Sequence, residues 1–304
     1  MQDKNYCIVG LGEILWDLFP TGKQLGGAPA NFAYCSSALG DTGIAASRIG
    51  DDPMGKEALR KLAGLGLETS FIQSDEAHAT GAVKVSVDSH GEPTFEISES
   101  VAWDFLAWDP VWQSLARKAD AVCFGSLAQR SPRSRETIRA FLKAVRSDTV
   151  RVFDVNLRQS FYSAEILSDS LRLADVLKLN HEELPRVQRM LGIPATGGEE
   201  ASARLFLDLY GLKLVCVTRG AQGSLLASKE GTSPHAGFRV SVADTVGAGD
   251  AFTAALVHHF LRGSALGTIN EAANRMGSWV ASHSGATPPI DQNVLDRVRL
   301  TTRP

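Results

Sequence analysis

Three things are scarce in this chain: unbalanced charge, paired cysteines and long apolar runs. Lys and Arg number 31 against 34 Asp and Glu, a formal net charge of −3. Nothing in that balance draws the chain to nucleic acid or to an anionic membrane surface, and neither is expected as a partner. No apolar stretch reaches transmembrane length. Cys7, Cys35, Cys123 and Cys216 lie far apart, mostly inside apolar segments, without a Cys-x-x-Cys pair. They read as buried thiols in a reducing compartment, which excludes a disulfide frame and a zinc knuckle. Residues 1–6 are too polar to begin a signal peptide, so a cytoplasmic protein is the expectation. At 304 residues the chain can bury a sizeable core. No repeat, low-complexity tract or linker divides it, so a single domain over residues 1–304 is expected.

Two familiar phosphate-binding loops are missing as well. Residues 7–12 form a short apolar strand ending in Gly-Leu-Gly, but Leu15 stands where a dinucleotide fingerprint needs its third glycine. Gly22-Lys23 and Gly55-Lys56 are followed by Gln24 and Glu57, so neither completes a Walker A loop, which needs Ser or Thr there. Phosphate handling is left to another stretch.

That stretch is residues 244–252, Asp-Thr-Val-Gly-Ala-Gly-Asp-Ala-Phe. Gly247 and Gly249 free the backbone from Cβ crowding, so the N–H groups of Gly247, Ala248 and Gly249 can turn to one side as an anion-binding nest. Apolar residues at helical spacing follow (Ala251, Ala254, Ala255, Phe260), which puts the nest at a helix N-terminus, where the dipole also favours negative charge. Asp250 is a carboxylate in the place where a phosphate would sit. Two readings fit it: a helix-capping residue, or a base that takes a proton from a hydroxyl attacking the phosphate held by the nest.

The rest of the chain supplies the frame. Residues 25–31, Leu-Gly-Gly-Ala-Pro-Ala-Asn, open a helix that runs through Ala38. Paired glycines there let backbone approach a ligand, though a plain turn with Pro29 in the first helical turn fits equally. Val83, Val85 and Val87 alternate with polar residues, as do Phe95 and Ile97 after Ser89-His90-Gly91-Glu92, which predicts a β-hairpin within residues 80–104. Strands are then predicted over 121–125, 151–155, 175–179 and 213–218, alternating with helices over 134–146, 182–191 and 200–209. Such alternation implies an α/β fold with a mostly parallel sheet and helices on both faces. Ligands in such folds sit beyond the carboxyl ends of the strands, where Asn156, Arg158, Asn180, Glu183, Thr218, Arg219 and Gly220 gather. The final helix is predicted over 269–283, and the adjacent His258 and His259, without metal-ligand spacing, read as helix residues.

The nine-residue string resembles the C-terminal signature of the ribokinase-like sugar kinases, the phosphofructokinase B family. The 25–31 stretch together with Ser47-Arg48-Ile49-Gly50-Asp51-Asp52-Pro53-Met54-Gly55 resembles the family's N-terminal signature. The resemblance spans nearly the whole chain. It implies a three-layer αβα fold with a small β-sheet lid formed by about 13–25 and 80–104, Asp250 as catalytic base, and Gly247, Ala248 and Gly249 as anion hole. It implies ATP as co-substrate, bound by Asn180, Thr218, Gly220 and, more loosely, Asn274. Mg²⁺ would be ordered by Glu183 of Asn180-His181-Glu182-Glu183 through water. Asp17, Gly26, Gly27, Asn31, Trp103 and Arg158 fall at sugar-facing positions. A monovalent cation such as K⁺ near Asp244 and the Val246 carbonyl, and a homodimer through the lid, follow from the resemblance alone.

Within the family, Gly12-Glu13-Ile14-Leu15-Trp16-Asp17 and the paired glycines look most like bacterial fructokinases, which convert D-fructose to fructose 6-phosphate. The 2-keto-3-deoxygluconate kinases share Asp17, the glycines and the Asp154-Val155-Asn156-Leu157-Arg158 pattern, and are the alternative. A non-catalytic sugar- or nucleotide-binding regulator on the same scaffold is the alternative from another class.

Overall fold

The computed structural model describes residues 4–87, 93–195 and 197–300. The turn expected at Ser89-His90-Gly91-Glu92 lies outside the described residues. Thirteen strands are described: β1 (Cys7–Leu11), β2 (Leu15–Phe19), β3 (Gly22–Gly26), β4 (Thr42–Gly50), β5 (Ile72–Asp75), β6 (Gly81–Val87), β7 (Pro93–Ile97), β8 (Ala121–Phe124), β9 (Val150–Asp154), β10 (Val176–Asn180), β11 (Leu214–Thr218), β12 (Ser224–Ser228) and β13 (Gly231–His235). Nine of them form one sheet in the order β13-β12-β11-β10-β9-β8-β1-β4-β5. Every neighbouring pair from β5 to β11 is parallel, and β12 and β13 add an antiparallel edge.

The central strands are largely apolar because both faces of the sheet are covered. In β1, Val9 and Leu11 belong to one core layer and Ile8 to the other; in β8, Val122 and Phe124 alternate with Ala121 and Cys123 in the same way. On the first face lie the helices Pro110–Lys118, Pro132–Ala144, Ala164–Leu173, Glu183–Leu191 and Gly198–Tyr210. On the second lie Ala28–Ala38, Ala248–Leu261, Leu266–Ala281 and Gln292–Leu300. The helix expected over 269–283 is therefore not the last, since Gln292–Leu300 follows it and inserts Leu295 and Val298 into the second layer. The loop Ser282–Ile290 has too much Ser, Gly and Pro to announce a further helix.

A separate four-stranded sheet, β3-β2-β6-β7, stands apart from the large one. Val83, Val85 and Ile97 turn inward, with Val83 paired to Ile97, while Lys84 and Glu96 are exposed. The alternation read in the sequence is thus a half-buried hairpin. Its root is fixed by Ile14 and Trp16, which pack against Ala30 and Ala33 of the helix Ala28–Ala38.

The chain leaves β1 towards β4 on one side and later enters β8 on the other. Loops after β1 and β8 therefore diverge at their carboxyl ends, which is where a doubly wound sheet opens a crevice.

Candidate functional site

A cavity occupies that crevice. Glu13 follows β1, Gly125 and Ser126 follow β8, Asp154 ends β9 and Asn156 follows it; all five line it. Pro29 and Phe32 come from the helix Ala28–Ala38, and Asp250 and Thr253 from the helix Ala248–Leu261. Asp250, the residue expected as base, and Asn156, one of the strand-end residues expected to face ligand, are thus brought to one place.

Helix Ala248–Leu261 starts there for local reasons. Gly247, its N-cap, has φ 77, and a Cβ on it would lie 2.6 Å from the Ala286 carbonyl oxygen. Both facts demand glycine. The Ala248 N–H donates to the Thr245 carbonyl at 3.3 Å, a long bond that an incoming anion can displace. Asp244 ties this loop down, its carboxylate accepting from Val246 N–H at 3.0 Å and Gly285 N–H at 3.1 Å.

Asp250 sits in the first turn, half-buried, and accepts a 2.8 Å hydrogen bond from Asn31 Nδ2. Its side chain therefore faces another helix and does not cap its own. Burial pushes its carboxyl up to about 6, the Asn31 bond opposes this, Asp154 adds to it, and Lys178 and Arg158 pull the other way. Burial also lifts Glu13 to about 7, and Asp17, at the rim in β2, to about 6. Gly26 opposes Leu15 across β2 and β3, and a Cβ there would sit 2.6 Å from Asp17 Oδ2. Its neighbour Gly27 caps the helix that carries Asn31.

Arg158 is exposed and acts as counter-charge to Glu13, Asp17 and Asp250 alike. It lies between two strained residues, Asn156 at φ 42 and Gln159 at φ 47. Non-glycine residues are held in that region where the surroundings over-determine them, which is common at ligand sites.

Asn180 and Thr218 end adjacent parallel strands and are paired in register. Asn180 Oδ1 accepts from the Glu182 and Glu183 N–H groups, and Glu183 Oε2 accepts from Asn180 N–H at 2.8 Å. This is a reciprocal cap on helix Glu183–Leu191. Glu183 Oε1 accepts from Leu157 N–H at 2.8 Å, which fastens the Arg158 loop to β10. Gly220, φ 56, begins the short turn Gly220–Gln222 after β11.

Two expected residues lie elsewhere. Trp103 is fully buried, within reach of Gly81 and with the Arg130 guanidinium stacked 4.0 Å from its ring. It belongs to the core and is not on the cavity wall. Asn274 is buried against β12, where its Nδ2 donates to Ser224 Oγ and to Asn270. It does not line the cavity that Asp250 lines.

Glu13, Asp154 and Lys178 were not singled out from the sequence. Lys178 had a signal, a single charge inside the apolar strand Val-Leu-Lys-Leu-Asn, which cannot be buried without a partner. Among the described residues no three His, Cys, Asp or Glu side chains gather as a metal-ligating group. A divalent ion carried by phosphate oxygens and water fits here, with Glu183 meeting it through water while each of its oxygens accepts from a backbone N–H.

Comparison with known proteins places the chain first by class: it has the ribokinase-like α/β fold shared by sugar kinases. A crystal structure of an uncharacterized sugar kinase from Pyrococcus horikoshii superposes with a TM-score of 0.84 at 28% identity, over 98% of this chain and 100% of that one. A fructokinase from Vibrio cholerae O395, solved with fructose, ADP and calcium, superposes with a TM-score of 0.78 at 26% identity, over 97% and 99%. More narrowly, the chain belongs to the pfkB family of carbohydrate kinases, whose model matches residues 18–293. Its relatives include a fructokinase of Escherichia coli, 31% identical over 91% of this chain and 93% of that protein.

Proposed function

We propose that this sugar kinase uses ATP to phosphorylate D-fructose, giving fructose 6-phosphate and ADP, with Asp250 as general base. The observation that carries the reading is the position of Asp250: beside a glycine nest at a helix N-terminus, in the cavity at the switch point, and held by Asn31. Fructokinases among the relatives support fructose as acceptor.

In this reading Asp250 takes the proton of the sugar hydroxyl as its oxygen attacks the terminal phosphorus, and the bond to the leaving ADP oxygen breaks. Asn31 aims the carboxylate. The N–H groups of Gly247, Ala248 and Gly249 steady the charge on the transferring group. Asn180, Thr218 and Gly220 lie where the nucleotide would run across the ends of β10 and β11. Mg²⁺ bound to ATP would neutralise phosphate charge, with Glu183 meeting its water. Asp17 with Gly26 and Gly27 would hold the sugar, and the small sheet would exclude water from the reaction. Pairing of two small sheets is not part of the proposal, because Lys84 and Glu96 make the described outer side of β6 and β7 charged.

The exposed Arg158 favours one second reading, a sugar-acid acceptor such as 2-keto-3-deoxygluconate, whose carboxylate a guanidinium would bind. ADP release with Mg-ATP across fructose, 2-keto-3-deoxygluconate, ribose, tagatose and adenosine decides between them. Turnover on fructose alone is the expected result. Turnover on the keto-acid moves the function to sugar acids, and silence across the panel removes the reading.

The pH dependence follows from Asp250. A base must be deprotonated, and burial holds this carboxyl at about 6. The value of kcat/KM is therefore expected to fall tenfold per unit as pH drops below about 6. Glu13 and Asp17 titrate nearby and share this limb. A profile flat from pH 7 to 4.5 would remove Asp250 as the base.

A further inference from the structure

Lys178 is the one charge in an otherwise apolar strand, and it lies almost wholly buried behind the nest. Its Nζ donates to Asp154 Oδ1 at 3.0 Å and Oδ2 at 2.9 Å. Burial would lower the lysine, but Asp154 first and Glu183 next outweigh it, so it stays protonated with its affinity for the proton raised. An ammonium has three donors, and Asp154 takes two. On the remaining side is the first turn of helix Ala248–Leu261: a Cβ on Gly249 would stand 3.1 Å from Lys178 Nζ. Thr253 Oγ1 completes the link, 3.2 Å from Asp154 Oδ2 and 2.8 Å from the Gly249 carbonyl oxygen. The pair thus reaches the helix turn twice, once through Thr253 and once directly beneath Gly249.

Stability alone does not account for such a pair, since a buried ion pair is often no better than apolar residues of its shape. The charge balance of the cavity does. Asp154, Asp250 and Glu183 all act on Lys178, and a phosphate adds more negative charge. Arg158 is exposed and screened by solvent. Lys178 is in a low-dielectric position, where a charge acts strongly on its neighbours.

We propose that Lys178 and Asp154 are positioning residues of the phosphoryl-transfer centre: Asp154 braces the first turn of the 248–261 helix through Thr253, and Lys178 supplies, beneath Gly249, the buried positive charge that offsets an anion bound at residues 247–249. The identity of that anion rests on the kinase reading; the geometry does not.

The test uses the intact chain and five variants. Lys178→Met/Asp154→Asn removes both charges at nearly constant volume, so no uncompensated charge stays buried. It is expected to unfold close to the wild-type temperature, yet to lose about 10²-fold in kcat, a loss like that of one oxyanion-hole donor, with sugar KM little changed. Its affinity for inorganic phosphate, followed by ³¹P line broadening, should fall about tenfold. The single variants should move the acid limb in opposite directions, Lys178→Met upward and Asp154→Asn downward. The groups facing Asp250 are Asn31 and Cys35 on their shared helix, Glu13 after β1, Cys123 in β8, Arg158 after β9, and this pair. A purely structural pair predicts no such opposition. Gly249→Ala, which presses on the ammonium, should cost less in a Lys178→Met background than alone.

Wild-type kcat and wild-type phosphate affinity in the double variant would overturn the proposal. So would additive losses for Gly249→Ala and Lys178→Met. If the double variant fails to fold, the Gly249→Ala cycle and the single-variant limbs decide. A wild-type protein silent on every sugar would sink the kinase reading, while phosphate affinity would still judge the pair.

Discussion

Asp250→Asn is expected to lower kcat by about 10²–10⁴-fold, the usual contribution of a positioned general base, while the KM for sugar changes little. Asparagine matches the carboxylate in shape, and its oxygen can still accept from Asn31 Nδ2, so the 2.8 Å contact that holds the side chain can persist. What goes is the ability to take a proton. Initial rates of ADP release at saturating Mg-ATP, with sugar binding measured by calorimetry, separate the two. Lost turnover with retained binding fits a base. Unchanged turnover would leave Asp250 as a partner of Asn31 between two helices, and the helix start to work by positioning alone.

The largest stability effect is expected far from the cavity. Asp41, buried, collects Tyr6 N–H at 3.2 Å, His258 Nδ1 at 2.6 Å and Arg262 Nη2 at 2.8 Å. Through it the start of β1 is bound to the C-terminal end of the helix that carries Asp250. Asp41→Ala leaves a buried histidine and a largely buried arginine without their anion. Breaking one side of such a cluster typically costs about 3–5 kcal/mol, which for a chain of this size lowers the unfolding midpoint by roughly 10 °C. Burial alone would raise the Asp41 carboxyl, but the His258 and Arg262 hydrogen bonds and charges outweigh it and hold it below its ordinary value. The sign follows. A depressed carboxylate stabilises the fold above its unfolded pKa, and that stabilisation is lost as pH falls through the lower folded value. Wild type should therefore lose more stability than Asp41→Ala on acidification below about pH 4. Equal midpoints at neutral pH by calorimetry would dismiss the cluster as a fastening.

Much of the frame was legible because it depends on local pattern. The apolar strands from Ala121 to Thr218 are spaced by amphipathic helices, and that alternation can only become a covered parallel sheet. The helix start was legible because Gly247 directly precedes, and Gly249 opens, an apolar helix. What was not legible depends on tertiary approach. Strand β4 was read only as part of a signature, since Gly-Asp-Asp-Pro directly after it drew attention to a turn. The Asn31–Asp250 bond joins residues 219 apart, and no spacing rule reaches across two helices. Trp103 was drawn towards the sugar by its place after the hairpin, but a large apolar ring lowers the free energy most when buried, and the core beneath Gly81 receives it whole. Asn274 was placed at the nucleotide by resemblance alone, and nothing local in the sequence announces Ser224 of β12 as its partner. Asn180 and Glu183 carry an Asn-x-x-Glu spacing that serves as a helix cap whatever else binds there, so the string alone could not separate fold from site.

The pairing of β2 with β6 is parallel and joins Leu15–Leu18 to Gly81–Lys84. A parallel pair closes no turn of its own, so between these two segments the chain must first lay down helix Ala28–Ala38, strand β4, helix Pro53–Gly64 and strand β5. Closing that span costs loop entropy, which the elements laid down in between reduce once they are built. The small sheet shares no ladder with the nine-stranded sheet, so fraying of its strands breaks none of the large sheet's hydrogen bonds.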